Sequence, residues 1–317
     1  MKEKVFIAID SGKYMTKGLL RSKNVDFITA FRTKMQEGEF TGLSEFEGTY
    51  AVEIDGKSFM IGNNVSEEYS NFDLTKTIDL HRVAILTAVV TLIKKANLDL
   101  DTAEMYLVIN IPISSFNKES KEKYVSFITN SGRSNLISLD EKAYNINFKE
   151  VISVFEGVGT IYEEMEKMRD KHTVVVDIGG LNTTFCTFNG LAPVIDTMIA
   201  NNSGINILKS RVGKYLSARF GISVSSDDLE RIVQVGYLSK KGRIEVKSKE
   251  GIQLMKKIHF ESIISFAKSN NYTFNNVDMV FVGGGSQILQ DEIKSLFPEA
   301  TIPVNPAFSN VNSFLNI

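Results

Sequence analysis

The chain is poor in residues that crosslink or chelate. Its single cysteine, Cys186, cannot close an intrachain disulfide, and its place in an apolar run predicts a buried thiol. Three histidines, His81, His172 and His259, form no zinc-type spacing with that cysteine. A metal would therefore need oxygen ligands, which suits magnesium. A large excess of charge is missing too: the formal net charge is −2, with 23% charged residues, which gives no global attraction for nucleic acid or anionic membrane. The opening MKEKVFIAID lacks the apolar core of a signal peptide, and no run approaches the ~20 apolar residues of a membrane span. The expectation is a soluble, unexported, cytoplasmic chain. No Pro/Ser/Gly-rich linker divides it, and 317 residues at 43% hydrophobic suffice for two compact halves sharing a hinge.

What is present centres on Val174 to Phe188, VVVDIGGLNTTFCTF. A β-branched run ends in an acid, glycines follow, and alternating apolar residues resume, which predicts strand, tight turn, strand. Gly179 and Gly180 let backbone N–H groups approach a ligand, and Asp177 leaves a carboxylate at the strand end. Such a turn also joins strands in proteins that bind nothing. Here the pattern occurs twice: in VFIAIDSGKYMTKGLL, Val5 to Leu20, the residues Asp10, Gly12 and Thr16 fall in step with Asp177, Gly179 and Thr183. Duplication predicts two similar halves, each bringing one phosphate-facing turn to a common cleft. A third cluster, Gly283, Gly284, Gly285 and Ser286, follows the apolar run Val277 to Val282.

In this order the three stretches resemble the actin-like ATPase superfamily, which also takes in sugar kinases and heat-shock chaperones. The first turn is similar to its phosphate-1 loop, the second to its phosphate-2 loop, and VFVGGGSQIL to its adenosine motif. Phe155-Glu156-Gly157-Val158-Gly159 stands where the connecting segment carries a catalytic acid, and the tail from Asn305 to Val311 resembles the ending of ParM-type plasmid-segregation actins. The resemblance implies a two-domain actin/hexokinase-like (ribonuclease H-like) α/β fold with nucleotide in the interdomain cleft. Domain I would span 1–171, with a small β-rich insertion near 26–72 and the C-terminal helix 304–317 returning to it; domain II would span 172–303.

Periodicity fills in the rest. Residues 77–96 predict an amphipathic helix, 105–111 a buried strand, 118–130 a helix, 140–143 a turn and 151–155 a strand. The charged segment 160–171 reads as helical. Helices are expected over 204–220, from Ser226-Asp227-Asp228, over 249–269 and over 288–297, with an exposed basic hairpin at 240–249.

Asp10 and Asp177 are the natural pair for magnesium, held through its waters. Lys17 has the reach to meet a phosphate, though a surface lysine has the same spacing. Ser11 and Gly12 belong to the first turn, and Asn182, Thr183 and Thr184 offer neutral hydrogen bonds in the second. SGK at 11–13 is not a Walker sequence, because Ile7 stands where its first glycine is required. By resemblance, Glu156 orients water or accepts its proton. Ser203-Gly204 resembles a nucleotide-supporting turn, and Arg231 is a candidate neighbour of adenine, with a surface salt bridge as the plain alternative. The implied function is a filament-forming ParM-type ATPase using ATP, with GTP as the alternative, and Mg2+. It would self-associate and drive plasmid DNA segregation through a DNA-binding adaptor bound to a centromere-like site. Direct nucleic-acid or membrane binding is not expected. The rivals are a sugar-type small-molecule kinase, an actin-like filament protein not tied to plasmids, and a nucleotide-bound scaffold without turnover.

Overall fold

The computed structural model describes residues 2–40, 46–71 and 75–317. They form two compact units, Met1–Glu156 with Asn310–Ile317, and Gly157–Ser309.

In the first unit, β1 (Glu3–Ser11), β2 (Met15–Ser22) and β3 (Val25–Arg32) make an antiparallel meander. β4 (Met35–Glu37) and the hairpin of β5 (Thr49–Ile54) and β6 (Lys57–Gly62) come next, β4 lying antiparallel to β6, and α1 (Asp79–Ala96) follows. β7 (Ala103–Ile111) then joins β1 in parallel. After α2 (Lys118–Ile128) come β8 (Asn135–Leu139), β9 (Lys142–Ile146) and β10 (Phe148–Phe155). The main sheet runs β10-β7-β1-β2-β3, and a second sheet runs β4-β6-β5-β8-β9. The strand-rich insertion expected near 26–72 thus contributes only three strands of that second sheet; β3 belongs to the main sheet, and β8–β9 arrive from far along the chain. Residues 41–45 and 72 of the expected insertion lie outside the described residues.

Helix α1 departs from the amphipathic expectation: every residue from Leu80 to Ile93 is buried. It packs on β1, β2 and β3 and also on β5 and β8, so it is covered by two sheets, and a polar face would have met protein instead of water. His81, Arg82, Thr87 and Thr91 are the polar residues enclosed there.

In the second unit, α3 (Met165–Met168) is all that forms of the helix expected over 160–171. Thr160 and Ile161 are buried and tie the start of that segment down as turns. β11 (His172–Ile178), β12 (Thr183–Asn189) and β13 (Ala192–Asn201) repeat the antiparallel meander. Next come α4 (Ile205–Phe220), α5 (Ser226–Val235), the hairpin of β14 (Leu238–Lys240) and β15 (Arg243–Glu245), and α6 (Val246–Ser269). β16 (Asp278–Val282) lies parallel to β11, completing the order β13-β12-β11-β16. α7 (Gly284–Ile288) and α8 (Gln290–Leu296) follow, and α9 (Ser309–Phe314), which belongs to the first unit from Asn310 on, ends the chain. Each unit has its own apolar core, around Ile7, Phe31 and Leu86 in the first and around Phe185, Leu208 and Phe281 in the second. The meander with a parallel partner on its first strand is therefore built twice. No helix among the described residues is long and apolar enough to cross a membrane.

Candidate functional site

The duplicated turns have the same geometry. In the first, Ser11 pairs with Thr16 across the hairpin and the Gly12 amide donates to the Met15 carbonyl at 3.0 Å. In the second, Ile178 pairs with Thr183 and the Gly179 amide donates to the Asn182 carbonyl at 2.9 Å. A side chain at Gly12 would meet the Met15 carbonyl, its Cβ only 2.8 Å away, so the narrow turn requires glycine for close approach. The threonine that leaves each turn is fully enclosed. Thr16 shares a hydrogen bond with Thr33, and Thr183 donates to the Ser203 carbonyl, so these hydroxyls brace the turns from behind.

In the first unit the parallel strands β1, β7 and β10 end together. That places Asp10 and Ser11 beside Asn110, and the Glu156 amide on the Ile111 carbonyl at 3.0 Å. The C-terminal edge of parallel strands is where open α/β sheets carry their ligand chemistry. Asp10 is opposite Lys17 across the hairpin, and their side chains pair at 3.4 Å with little exposure. Ser11 is wholly buried, and each of its polar groups is held by another residue. Its amide donates to Asn110 Oδ1 at 2.9 Å, its hydroxyl meets His81 Nδ1 at 2.8 Å, and its carbonyl accepts from Lys76 Nζ at 2.6 Å. Lys76, His81 and Asn110 carry no motif, and only the fold reveals them. Burial, followed by the charges of Lys76 and Lys13, holds the His81 pKa well below the usual imidazole range.

In the second unit the turn is clamped onto the start of α4. The amides of Gly204, Ile205 and Asn206 donate to the carbonyls of Leu181, Gly179 and Gly180. A Cβ on Gly204 would lie 2.5 Å from the Gly180 carbonyl oxygen, which is why a glycine stands there. With those helix amides engaged, a ligand would be met by the turn itself; among the described residues the amides of Gly180 and Leu181 donate to no backbone carbonyl.

Asp177 pairs with Val282 across β11–β16, which brings the third glycine cluster against the second turn. Gly283, at φ 81°, leaves no room for a side chain: a Cβ would sit 2.3 Å from Asp177 Oδ1. Gly285 is packed just as closely on Ile178, whereas Gly284 is exposed, and a Cβ there would have none of the described residues within 4 Å. The Ser286 hydroxyl is buried and donates to the Val282 carbonyl. Arg231 stands on α5, whose start Ser225 caps, and is mostly exposed in an ion pair with Asp228 at 3.0 Å. Among the described residues no three His, Cys, Asp or Glu side chains cluster as a metal site. A cation here would need ligands beyond the protein, such as water or phosphate oxygens.

Residues 8–159 match the family model described as the N-terminal domain of actin-like proteins. A search of the curated proteins returned no match. Among solved structures, an archaeal actin homolog is 16% identical, with 98% of each chain covered and a TM-score of 0.79. The same homolog in complex with ADP gives 0.76. A 15-stranded ParM filament from Clostridium botulinum is 20% identical over 99% of this chain and 98% of that one, with a TM-score of 0.74. The Alp12 filament structure is 25% identical over 99% and 97%, with a TM-score of 0.70. Residues 8–159 are therefore similar to the N-terminal domain of actin-like proteins, and the chain as a whole has the two-domain actin-like α/β fold that the sequence resembles.

Proposed function

We propose that this chain is a ParM-type filament-forming ATPase that takes ATP with magnesium and positions plasmid DNA through an adaptor. The observation that carries this reading is the acidic glycine turn built twice in one register, once per unit, with an open Gly284 beside the second copy. Each turn's donors suit a phosphate group with its cation: backbone amides at a narrow turn and a strand-end carboxylate, with Lys17 beside the first copy. The ADP-bound homolog and the ParM and Alp filaments among similar structures support the same direction.

In this reading Asp10 and Asp177 would hold magnesium, which would supply charge neutralisation to the phosphates, and Lys17 would offset phosphate charge. Glu156, at the end of β10, orients the attacking water or accepts its proton. Gly284 lets the nucleotide lie against the backbone. Self-association follows nucleotide binding, and DNA is reached through a partner because the chain itself carries a net charge of only −2.

The test is light scattering with magnesium and either ATP or GTP, read together with phosphate release and followed by electron microscopy. Scattering is expected to rise above a critical concentration and decay as nucleotide is consumed. Asp10→Ala and Asp177→Ala are expected to abolish magnesium-dependent binding or hydrolysis. Unchanged turnover in both variants would refute the site. A persistent monomer that transfers phosphate to a sugar or other small acceptor would establish the kinase instead.

A further inference from the structure

Lys76 lies in no motif, yet it is only 5% exposed and its ammonium is fixed on the Ser11 carbonyl at 2.6 Å. Three separate elements grip that one residue: the segment before α1 through Lys76, α1 itself through His81, and β7 through Asn110. A backbone carbonyl needs only a neutral donor. A buried ammonium is a costly choice for that task, because removing its charge from water is unfavourable unless opposite charge faces it. Opposite charge is present. Burial pulls the Lys76 pKa down, the carboxylates of Glu156 and then Asp10 act against that, and Lys13 and Lys17 add to the lowering. Tyr124, fully enclosed, is a further titratable group that feels Asp10.

We infer that Lys76 is a positioning residue for hydrolysis: held by the Ser11 carbonyl, its ammonium offsets the charge of Glu156 and Asp10 and fixes the first turn relative to both. The inference rests on the ATPase reading above and assigns turnover to a residue outside its motifs. Two carboxylates and a polyphosphate repel one another, and a fixed buried cation relieves that repulsion without reorganising as the reaction proceeds. Its effect should therefore fall on the chemical step more than on nucleotide affinity.

The experiment compares the full chain with Lys76→Gln, which keeps a donor but loses the charge, Lys76→Met, which loses both, and Lys76→Arg, which keeps the charge. Three quantities are read for each: calorimetric affinity for magnesium-ATP, melting temperature without nucleotide, and phosphate release at saturating ATP. Gln and Met are expected to lose on the order of 100-fold in kcat, the range seen when one preorganised electrostatic group is removed, while Kd stays within about threefold. Arg is expected to retain more turnover than Gln. Parent-level kcat in Lys76→Gln would overturn the proposal and leave Lys76 as a hydrogen-bonding strap. Affinity, melting temperature and kcat falling together in all three variants would overturn it in favour of a structural role. If the parent chain binds magnesium-ATP and releases no phosphate, the ATPase reading itself fails, and the role of Lys76 in turnover falls with it.

Discussion

Gly283 and Gly284 are adjacent and have opposite reasons to be glycine. At Gly283 a Cβ would press on Asp177 Oδ1 at 2.3 Å and on the Ile178 carbonyl at 2.5 Å, in a left-handed backbone conformation. Strain and overpacking together put the cost of Gly283→Ala at roughly 2–4 kcal/mol, measurable as a lower urea midpoint. Gly284→Ala meets no neighbour among the described residues, so its folding stability should stay within about 0.5 kcal/mol of the parent, or slightly above it. If a nucleotide lies on that surface, the same variant should bind it less tightly. Equal affinity in parent and Gly284→Ala would show that the surface is bare.

His259 gives a second residue-scale expectation. It is fully buried on α6, neither ring nitrogen has a hydrogen-bond partner among the described residues, and burial, aided by the charge of Arg211, pushes its pKa from 6.5 down to about 4. A lowered pKa means that the unfolded chain binds the proton more readily. The contribution to stability is therefore complete above pH ~6.5 and is lost as pH falls toward ~4, by at most about 3 kcal/mol at ~1.4 kcal/mol per unit. Denaturant midpoints measured across that range should fall more steeply for the parent than for His259→Leu. Parallel curves would mean that the imidazole is already charged or is solvated in the native state.

At the scale of elements, the duplicated hairpins were legible because their whole signal is local: β-branched strand, acid, glycine, threonine within about ten residues. The same holds for β16 with its glycines and for the start of α5 expected from Ser226-Asp227-Asp228, where the capping residue proves to be Ser225, one position earlier. The contacts that hold the first turn are not local. Lys76, His81 and Asn110 reach Ser11 from 65, 70 and 99 residues away, and none of them carries a pattern of its own. The burial of α1 escaped for a related reason, since periodicity reports one covered face and cannot report a second sheet whose strands β8 and β9 come from residues 135–146. Arg82 is the link between those layers. From α1 it pairs with Asp55 at 2.5 Å and donates to the buried Asn135 Oδ1 at 2.8 Å, tying the helix to the turn after β5 and to the start of β8. Arg82→Met keeps much of the apolar stem but leaves Asn135 Oδ1 without that donor, so a loss of about 1–3 kcal/mol in urea unfolding is expected. A variant as stable as the parent would mean that water replaces the guanidinium at Asn135.

At the scale of the whole molecule, the proposed function couples a chemical step to assembly, and Glu156 is where the two can be separated. A carboxylate that positions the attacking water acts mainly in the transition state. Its removal should spare nucleotide affinity and slow hydrolysis by ~10²–10⁴-fold, the span of general-base contributions. Glu156→Ala should therefore still assemble on ATP, and if disassembly follows hydrolysis, its filaments should outlive those of the parent at equal ATP. The backbone of Glu156 argues that the variant keeps its fold, because the bond tying the end of β10 to β7 runs from the Glu156 amide to the Ile111 carbonyl and does not involve the side chain. Phosphate release and scattering followed in one reaction distinguish the outcomes. Release at the parent rate would make Glu156 a loop residue and assign the water to another group. Loss of both binding and assembly would make its role structural, acting through the charge it presents to Lys76. Long-lived scattering with little phosphate is the result expected of a residue that times disassembly.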